Sequence, residues 1–483
     1  MFVLIVYKKI QKYLKGMMIQ MMPSKINKYI DDHVSEMINC LSSLVAIPSV
    51  KAAPEDDMPY GKENARVLAK MLDMAKEIGF TVTNHENYVG TVDMNPNLET
   101  KLGVLCHLDV VPEGTGWKYP PYNLTLSGGR LYGRGASDDK GPAVAVLFAL
   151  RALKECGCKL SKNVRLIVGT DEECGSSDLV YYRQKEALPP YVFTPDASYP
   201  VINLEKGRMP GKFAKNICAN GEKTIISVQG GVAVNAVPEK AIAVIKGFSS
   251  AEIAAAKKFL PADVTMEVHT DGDITKLTVN GKAAHASLPY IGKNSITALI
   301  RVLGALPTDD ESGALFATLS NLFVYGECDG SALGIRAHDN KSGDLTFVFS
   351  MIEYENGQLK GSFDIRFPIC ECVASVHDKL EASLNAAGLT LSEYKGVEPH
   401  YVDENSEFIQ TLLDVYTEFT GNEGYCLAIG GGTYVHDIEG GVAFGAEFIG
   451  EDNHVHGADE YITLNHLVLN AKIFAEAILR ICK

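Results

Sequence analysis

Nowhere in the 483 residues does an apolar run reach the roughly 18 to 20 residues needed to cross a bilayer as a helix, so the chain is not expected to be membrane-integral. Excess positive charge is missing too. Sixty acidic residues against 45 basic ones give a net charge of -15, which repels nucleic acid and anionic membrane surfaces and disfavours both as partners. The eleven cysteines lack zinc-finger spacing, the closest pairs being Cys156/Cys158 and Cys370/Cys372. Their odd number fits free thiols in a reducing cytoplasm. Fixed-period repeats and low-complexity segments are absent. The glycine-rich stretch from Gly128 to Gly135 lacks the Lys-Ser/Thr ending of a phosphate loop and the dinucleotide spacing, which argues against nucleotide binding.

What is present is an ordinary globular composition, 46% hydrophobic and 22% charged, in a chain too long for one core of about 100 to 200 residues. Two domains are expected. Up to about residue 200, helical periodicity (Asn64 to Ile78, Pro142 to Glu155) alternates with short apolar strands (Gly103 to Leu108, Val164 to Gly169, Tyr191 to Thr194), the pattern of a mainly parallel α/β sheet. Between 205 and 398 the texture changes to long alternating strands such as Thr224 to Gln229 and Ile274 to Val279. Helices at Ala251 to Phe259 and Ser295 to Leu306 lie among them, which predicts an inserted α+β domain. The α/β character resumes with a helix at Phe408 to Phe419, a strand at Val442 to Phe448 and a helix from His466 to Ile481. The expected layout is a discontinuous first domain, 22–204 and 399–483, interrupted by a second. Residues 1–21, a short apolar run with its positive charges after it and no small-residue cleavage site, read as an unpacked extension.

Candidate metal ligands stand at the C-terminal ends of successive predicted strands, where open α/β sheets place their ligand crevice. They are His107 and Asp109, Asp138 and Asp139, the Asp171-Glu172-Glu173 run, Asp196 and, far downstream, His456. Taken singly, each is an ordinary surface or structural residue. Together they are costly to bury without a cation, and imidazole nitrogen with carboxylate oxygen suits zinc.

The segments that carry these residues, Cys106 to Pro112, Gly133 to Gly141, Gly169 to Gly175, Phe193 to Asp196 and His456 to Glu460, resemble the aminoacylase, carnosinase and carboxypeptidase G group of two-zinc metallopeptidases. Within it they are most similar to the dipeptidase V type. The resemblance implies that His107 and Asp196 hold one zinc, Glu173 and His456 the other, and that Asp138 bridges both; manganese or cobalt would suit the same mixed ligands. It further implies hydrolysis of dipeptides by a water activated between the ions, with Glu172 as general base and Asp109 orienting His107. It also implies a cis peptide between Asp138 and Asp139. Asp139, Lys140 and Asp171 read as supports of their loops, and His454 as a bystander.

In the insert, Gly230 to Pro238, Gly281 to Ser287 and Phe363 to Pro368 extend the likeness. By that resemblance it is a lid, from which Asn235 and His285 act on the substrate, His285 on the oxyanion, while Arg366 binds the terminal carboxylate. Strand alternation alone would turn Arg366 to solvent. Gly431, Gly432 and Thr433 are expected to line the substrate with backbone, followed by Val435-His436 where Ala-Arg is common in the group. An insert this long fits the enlarged lid that supplies the oxyanion histidine within one chain, so a cytoplasmic monomer acting on short peptides is expected. Two other readings stay open: a related amide hydrolase, such as a succinyl-diaminopimelate desuccinylase or an aminoacylase, and a metal- or peptide-binding protein that has lost activity.

Overall fold

The computed structural model describes residues 24–483, so the expected extension over 1–21 lies outside the described residues. The chain divides into two compact units, the first comprising 24–203, 402–427 and 432–483, the second 204–401 and 428–431.

The first unit is built on a mixed sheet whose strand order is Thr81–His85, Val89–Asp93, Asn163–Gly169, Thr100–His107, Tyr191–Thr194, Gly441–Ala443 and Val201–Glu205. Its three central pairings are parallel, and antiparallel strands finish both sides. The central strands are buried almost throughout, as parallel strands covered on both faces must be, and this is why they read as unbroken apolar runs. The alanine- and leucine-rich helix Lys140–Glu155 buries nearly its whole circumference in this core. Helix Leu464–Cys482, whose N-terminus is capped by the Thr463 hydroxyl accepting from the His466 amide at 3.1 Å, belongs to the same core.

The second unit carries an antiparallel sheet in the order Thr265–Asp271, Ile274–Asn280, Lys240–Lys246, Thr224–Gly230, Thr346–Glu355, Gln358–Phe367, Gly211–Asn216 and Thr390–Tyr394. Lys240–Lys246 alternates buried and accessible residues, the signature of a sheet with one face on the core. Helices Ser295–Leu303, Glu311–Leu322 and Val373–Ala386 contribute to that core, which is distinct from the first. This is an α/β fold with a large inserted α+β unit.

One expected element is divided. The strand read over Val442 to Phe448 is Gly441–Ala443 followed by a separate Ala446–Glu447. Between them Gly445 adopts φ +78, and a side chain there would lie 2.3 Å from the Tyr199 ring. The left-handed turn and the close aromatic packing both demand glycine and break the extended run. Among the described residues no helix is long and apolar enough to cross a membrane.

Candidate active site

Adjacent parallel strands deliver the polar cluster to one sheet edge. Thr100–His107 ends on His107, which stands in register with Gly169 at the end of its neighbour. The chain then turns through the 3-10 segment Glu172–Cys174, while Asp196 follows Tyr191–Thr194 by two residues. Asp138 precedes helix Lys140–Glu155 and is joined to Asp139 by a cis peptide. His456 comes from the loop before the final helix, with φ +60, a left-handed conformation that is uncommon for a residue with a side chain and clusters at functional loops.

Two groups of ligand atoms result. His107, Glu172 and Asp196 form one, Asp138, Glu173 and His456 the other, each within 4.8 Å. Asp138 joins them: its Oδ1 lies 2.8 Å from His107 Nε2 and its Oδ2 3.0 Å from His456 Nε2. Asp196 Oδ2 is 3.5 Å from His107 Nε2, and Glu173 Oε2 is 3.1 Å from His456 Nε2. The consecutive residues Glu172 and Glu173 send their carboxylates into different groups because the tight turn splays them.

The electrostatics of this cluster are those of a cation site. Burial works against a charged His107, yet Asp196 together with the bonds to Asp109 and Asp138 outweighs it and holds the imidazole well above its ordinary pKa. Bonds to Asp138 and Glu173 push His456 up to about 10. Burial, with Asp138 next, raises Asp196. Burial also pushes Glu172 up to about 8, with Asp196, Asp138 and Glu173 adding to it against His107. Carboxylates crowded this closely repel, and removing ions from water costs several kcal/mol each. Divalent cations compensate both penalties, and imidazole with carboxylate is a donor set they take.

A further layer of residues holds these in place. Asp109 does more than face His107. Its Oδ1 is 3.4 Å from His107 Nδ1, a nitrogen that also lies 3.0 Å from the Asp109 carbonyl, and its carboxylate accepts the backbone N–H of Glu172 at 3.2 Å and of Glu173 at 3.1 Å. Glu460 accepts the amides of Gly135, Ser137 and Asp138 and pairs with buried Arg134 at 2.6 Å, so it fixes the loop that presents Asp138. Asp139 accepts the His107 amide at 3.1 Å, and Lys140 donates to the carbonyls of Leu44 and Ile47. Asp171 pairs with Lys51 at 2.6 Å and bonds Ser177. His454 packs its ring edge-on against Tyr461.

In the second unit, His285 pairs across from Ala236, and the Asn235 carbonyl accepts the Ala286 amide at 2.9 Å. His285 Nδ1 lies 2.7 Å from Ser287 Oγ, so Nε2 is the ring nitrogen that Ser287 does not engage. Partial desolvation, reinforced by the nearby Arg366 charge, lowers its pKa and favours the neutral ring. Arg366 is buried, contrary to simple strand alternation: Nε and Nη2 grip Asp364 at 2.5 and 2.9 Å, and Nη1 donates to the Gly430 carbonyl at 2.8 Å. Asp364 and Arg366 stand two apart on one strand and so share a face, the signal from which this pair was readable. Gly431 falls in the second unit, Gly432 and Thr433 in the first. Thr433 accepts the His436 amide at 3.0 Å, and His436 is buried.

Residues 103–480 match the model of peptidase family M20/M25/M40. The chain is 33% identical over 431 residues to a putative dipeptidase, YtjP, of Bacillus subtilis, covering 88% of this chain and 92% of the relative. It is 34% identical over 455 residues to a Beta-Ala-Xaa dipeptidase of Lactobacillus delbrueckii subsp. lactis, covering 92% and 95%. In fold it is similar to human carnosine dipeptidase 1, with a TM-score of 0.55 at 17% identity over 95% of this chain and 99% of that one. With this match spanning most of the sequence, the chain belongs to peptidase family M20/M25/M40.

Proposed function

We propose that this protein is a metal-dependent dipeptidase that works with two zinc ions per chain, manganese or cobalt being able to take the same ligands. The observation that carries this reading is the pair of imidazole and carboxylate groups joined through the two oxygens of Asp138. His107 and Asp196 would hold one ion, Glu173 and His456 the other, with Asp138 shared. Bound there, such ions acidify water and polarise a carbonyl.

The chain's own residues do the rest. Glu172 takes the proton of the attacking water and passes it to the departing amine, a role for which a buried carboxylate beside the ligands is suited. Asp109 keeps His107 and the Glu172–Glu173 turn in register. His285, through the Nε2 that Ser287 does not engage, donates to the developing oxyanion. Of the five N–H groups of Arg366, three are engaged, leaving one on each Nη for a substrate carboxylate. Asn235, Gly431, Gly432 and Thr433 complete the substrate contacts. The relatives named as dipeptidases, at 33% and 34% identity, support a short-peptide substrate. We place the enzyme in the cytoplasm as a monomer.

The test is a panel of dipeptides, tripeptides and N-acylated amino acids assayed alongside metal analysis. Preference for free dipeptides, lost on chelation, is expected; preference for acylated amino acids moves the chain to the deacylases.

A further inference from the structure

The hydroxyl of Tyr434 donates to Asp178 Oδ2 at 2.6 Å, and both side chains are buried. That same oxygen accepts the amides of Thr170 at 2.7 Å and Asp171 at 3.0 Å, the two residues that lead into the Glu172–Cys174 turn. Tyr434 directly follows Thr433, the last of the substrate-loop residues, and its ring stands at 90° to that of His107, centroids 6.2 Å apart.

Gly169 records how tightly this arrangement is made. A side chain at Gly169 would lie 1.7 Å from Tyr434 Oη and 2.3 Å from Asp178 Oδ2, so the hydrogen bond occupies the room a Cβ would need. Gly169 is also the residue in register with His107. The bond therefore sits beneath the strand ends that present the site, with a covalent route of one residue to the loop and of two amides to the turn.

We infer that Tyr434 and Asp178 are positioning residues that tie the Gly431–Thr433 loop to the turn carrying Glu172 and Glu173, so that substrate and general base keep one register. A single carboxylate oxygen shared by a side chain from one segment and two backbone donors from the other transmits displacement between them. The inference rests on the roles proposed for Glu172, Glu173 and the loop, and its test is kept separate from theirs.

Tyr434→Phe removes one hydroxyl and keeps the ring on His107. Hydrogen exchange of the wild type and this variant, confirmed as folded by circular dichroism, reads the tie without any assay of activity. Protection should fall in both 430–436 and 170–174. Loss confined to the first segment overturns the inference. In kinetics with a dipeptide, kcat should fall about tenfold or more and KM should rise, and Asp178→Asn added to Tyr434→Phe should cost little beyond either alone, as coupled residues do. Values of kcat and KM within twofold of wild type in a folded Tyr434→Phe overturn it as well. Should Asp178→Asn fail to fold, Gly169→Ala, which wedges the pair apart, replaces it with the same expectations. A wild type that leaves dipeptides intact while the exchange result holds would count against the proposed activity alone.

Discussion

His107 Nε2 lies 2.8 Å from Asp138 Oδ1, an imidazole meeting a carboxylate at the end of a buried strand. The contact is repeated on the other oxygen by His456, and on the proposed reading one carboxylate would thereby serve two cations.

Metal content should follow from this sharing. Asp138→Ala is expected to lose both ions, whereas Asp196→Ala should weaken only the group that contains His107. Titration with zinc, followed by elemental analysis of the washed protein, distinguishes them. Chelation should abolish activity and lower Tm, since a ligand at 100 times its Kd contributes about 2.7 kcal/mol to the folded state. Activity indifferent to chelator would sink the two-ion reading.

Glu172 and Glu173 are neighbours whose carboxylates enter different groups, and the roles proposed for them, base and ligand, give them different expected phenotypes. Glu172→Ala should reduce turnover by about 100-fold or more while metal stays bound. Glu173→Ala should release metal as well. Retention of a tenth of wild-type turnover by the Glu172 variant would remove it from the role of base.

Loss of Asp109 should act at a distance of one bond. Asp109→Ala leaves His107 Nδ1 only the carbonyl of residue 109 and deprives two turn amides of their acceptor, and metal affinity is expected to fall about 10- to 100-fold. Competition with a chromogenic chelator measures it. An unchanged affinity would show that the turn holds itself.

Glu460→Ala leaves Arg134 buried without its partner and three amides without their acceptor. Destabilisation of about 3 to 5 kcal/mol is expected by denaturant titration. The double variant with Arg134→Met should recover part of it, because the stranded charge is gone; failure to recover would place the cost in the amides instead.

In the second unit, His285→Ala should lower kcat more than it raises KM, since oxyanion charge develops only in the transition state. Arg366→Ala should damage both and discriminate less between dipeptides and their C-terminal amides. Equal rates on acids and amides by the intact enzyme would contradict the anchor.

The sheet-edge cluster was legible in part because His107, Glu173 and Asp196 stand at or just beyond the ends of apolar strands, where a polar residue departs from the run before it, whereas Asp138 comes from the turn before a helix and His456 from a loop, not from the strand ends expected of them. His107, Glu173 and Asp196 could be placed at one edge from that alone. What eluded the sequence depends on partners far apart in the chain. Tyr434 and Asp178 are separated by 256 positions, and nothing local to either announces the bond. Glu460 stands in the sequence only as the end of the His456 to Glu460 segment, whereas in the structure it gathers the amides of Gly135, Ser137 and Asp138. The break at Gly445 was hidden because Val442 to Phe448 is apolar enough for a strand, and it is the left-handed turn at Gly445, packed against the distant Tyr199 ring, that interrupts it.

Under the role proposed for Arg366, its pairing with Asp364 has a consequence for how substrate arrives. A guanidinium already cancelled by a carboxylate 2.5 Å away projects a short-range dipole rather than a monopole. It has little to pull with beyond a few ångströms, and the net charge of -15 on the chain repels anions at longer range. Encounter should then be governed by diffusion of neutral zwitterions, and kcat/KM for an uncharged dipeptide should stay nearly flat as ionic strength rises, while acidic dipeptides gain from added salt.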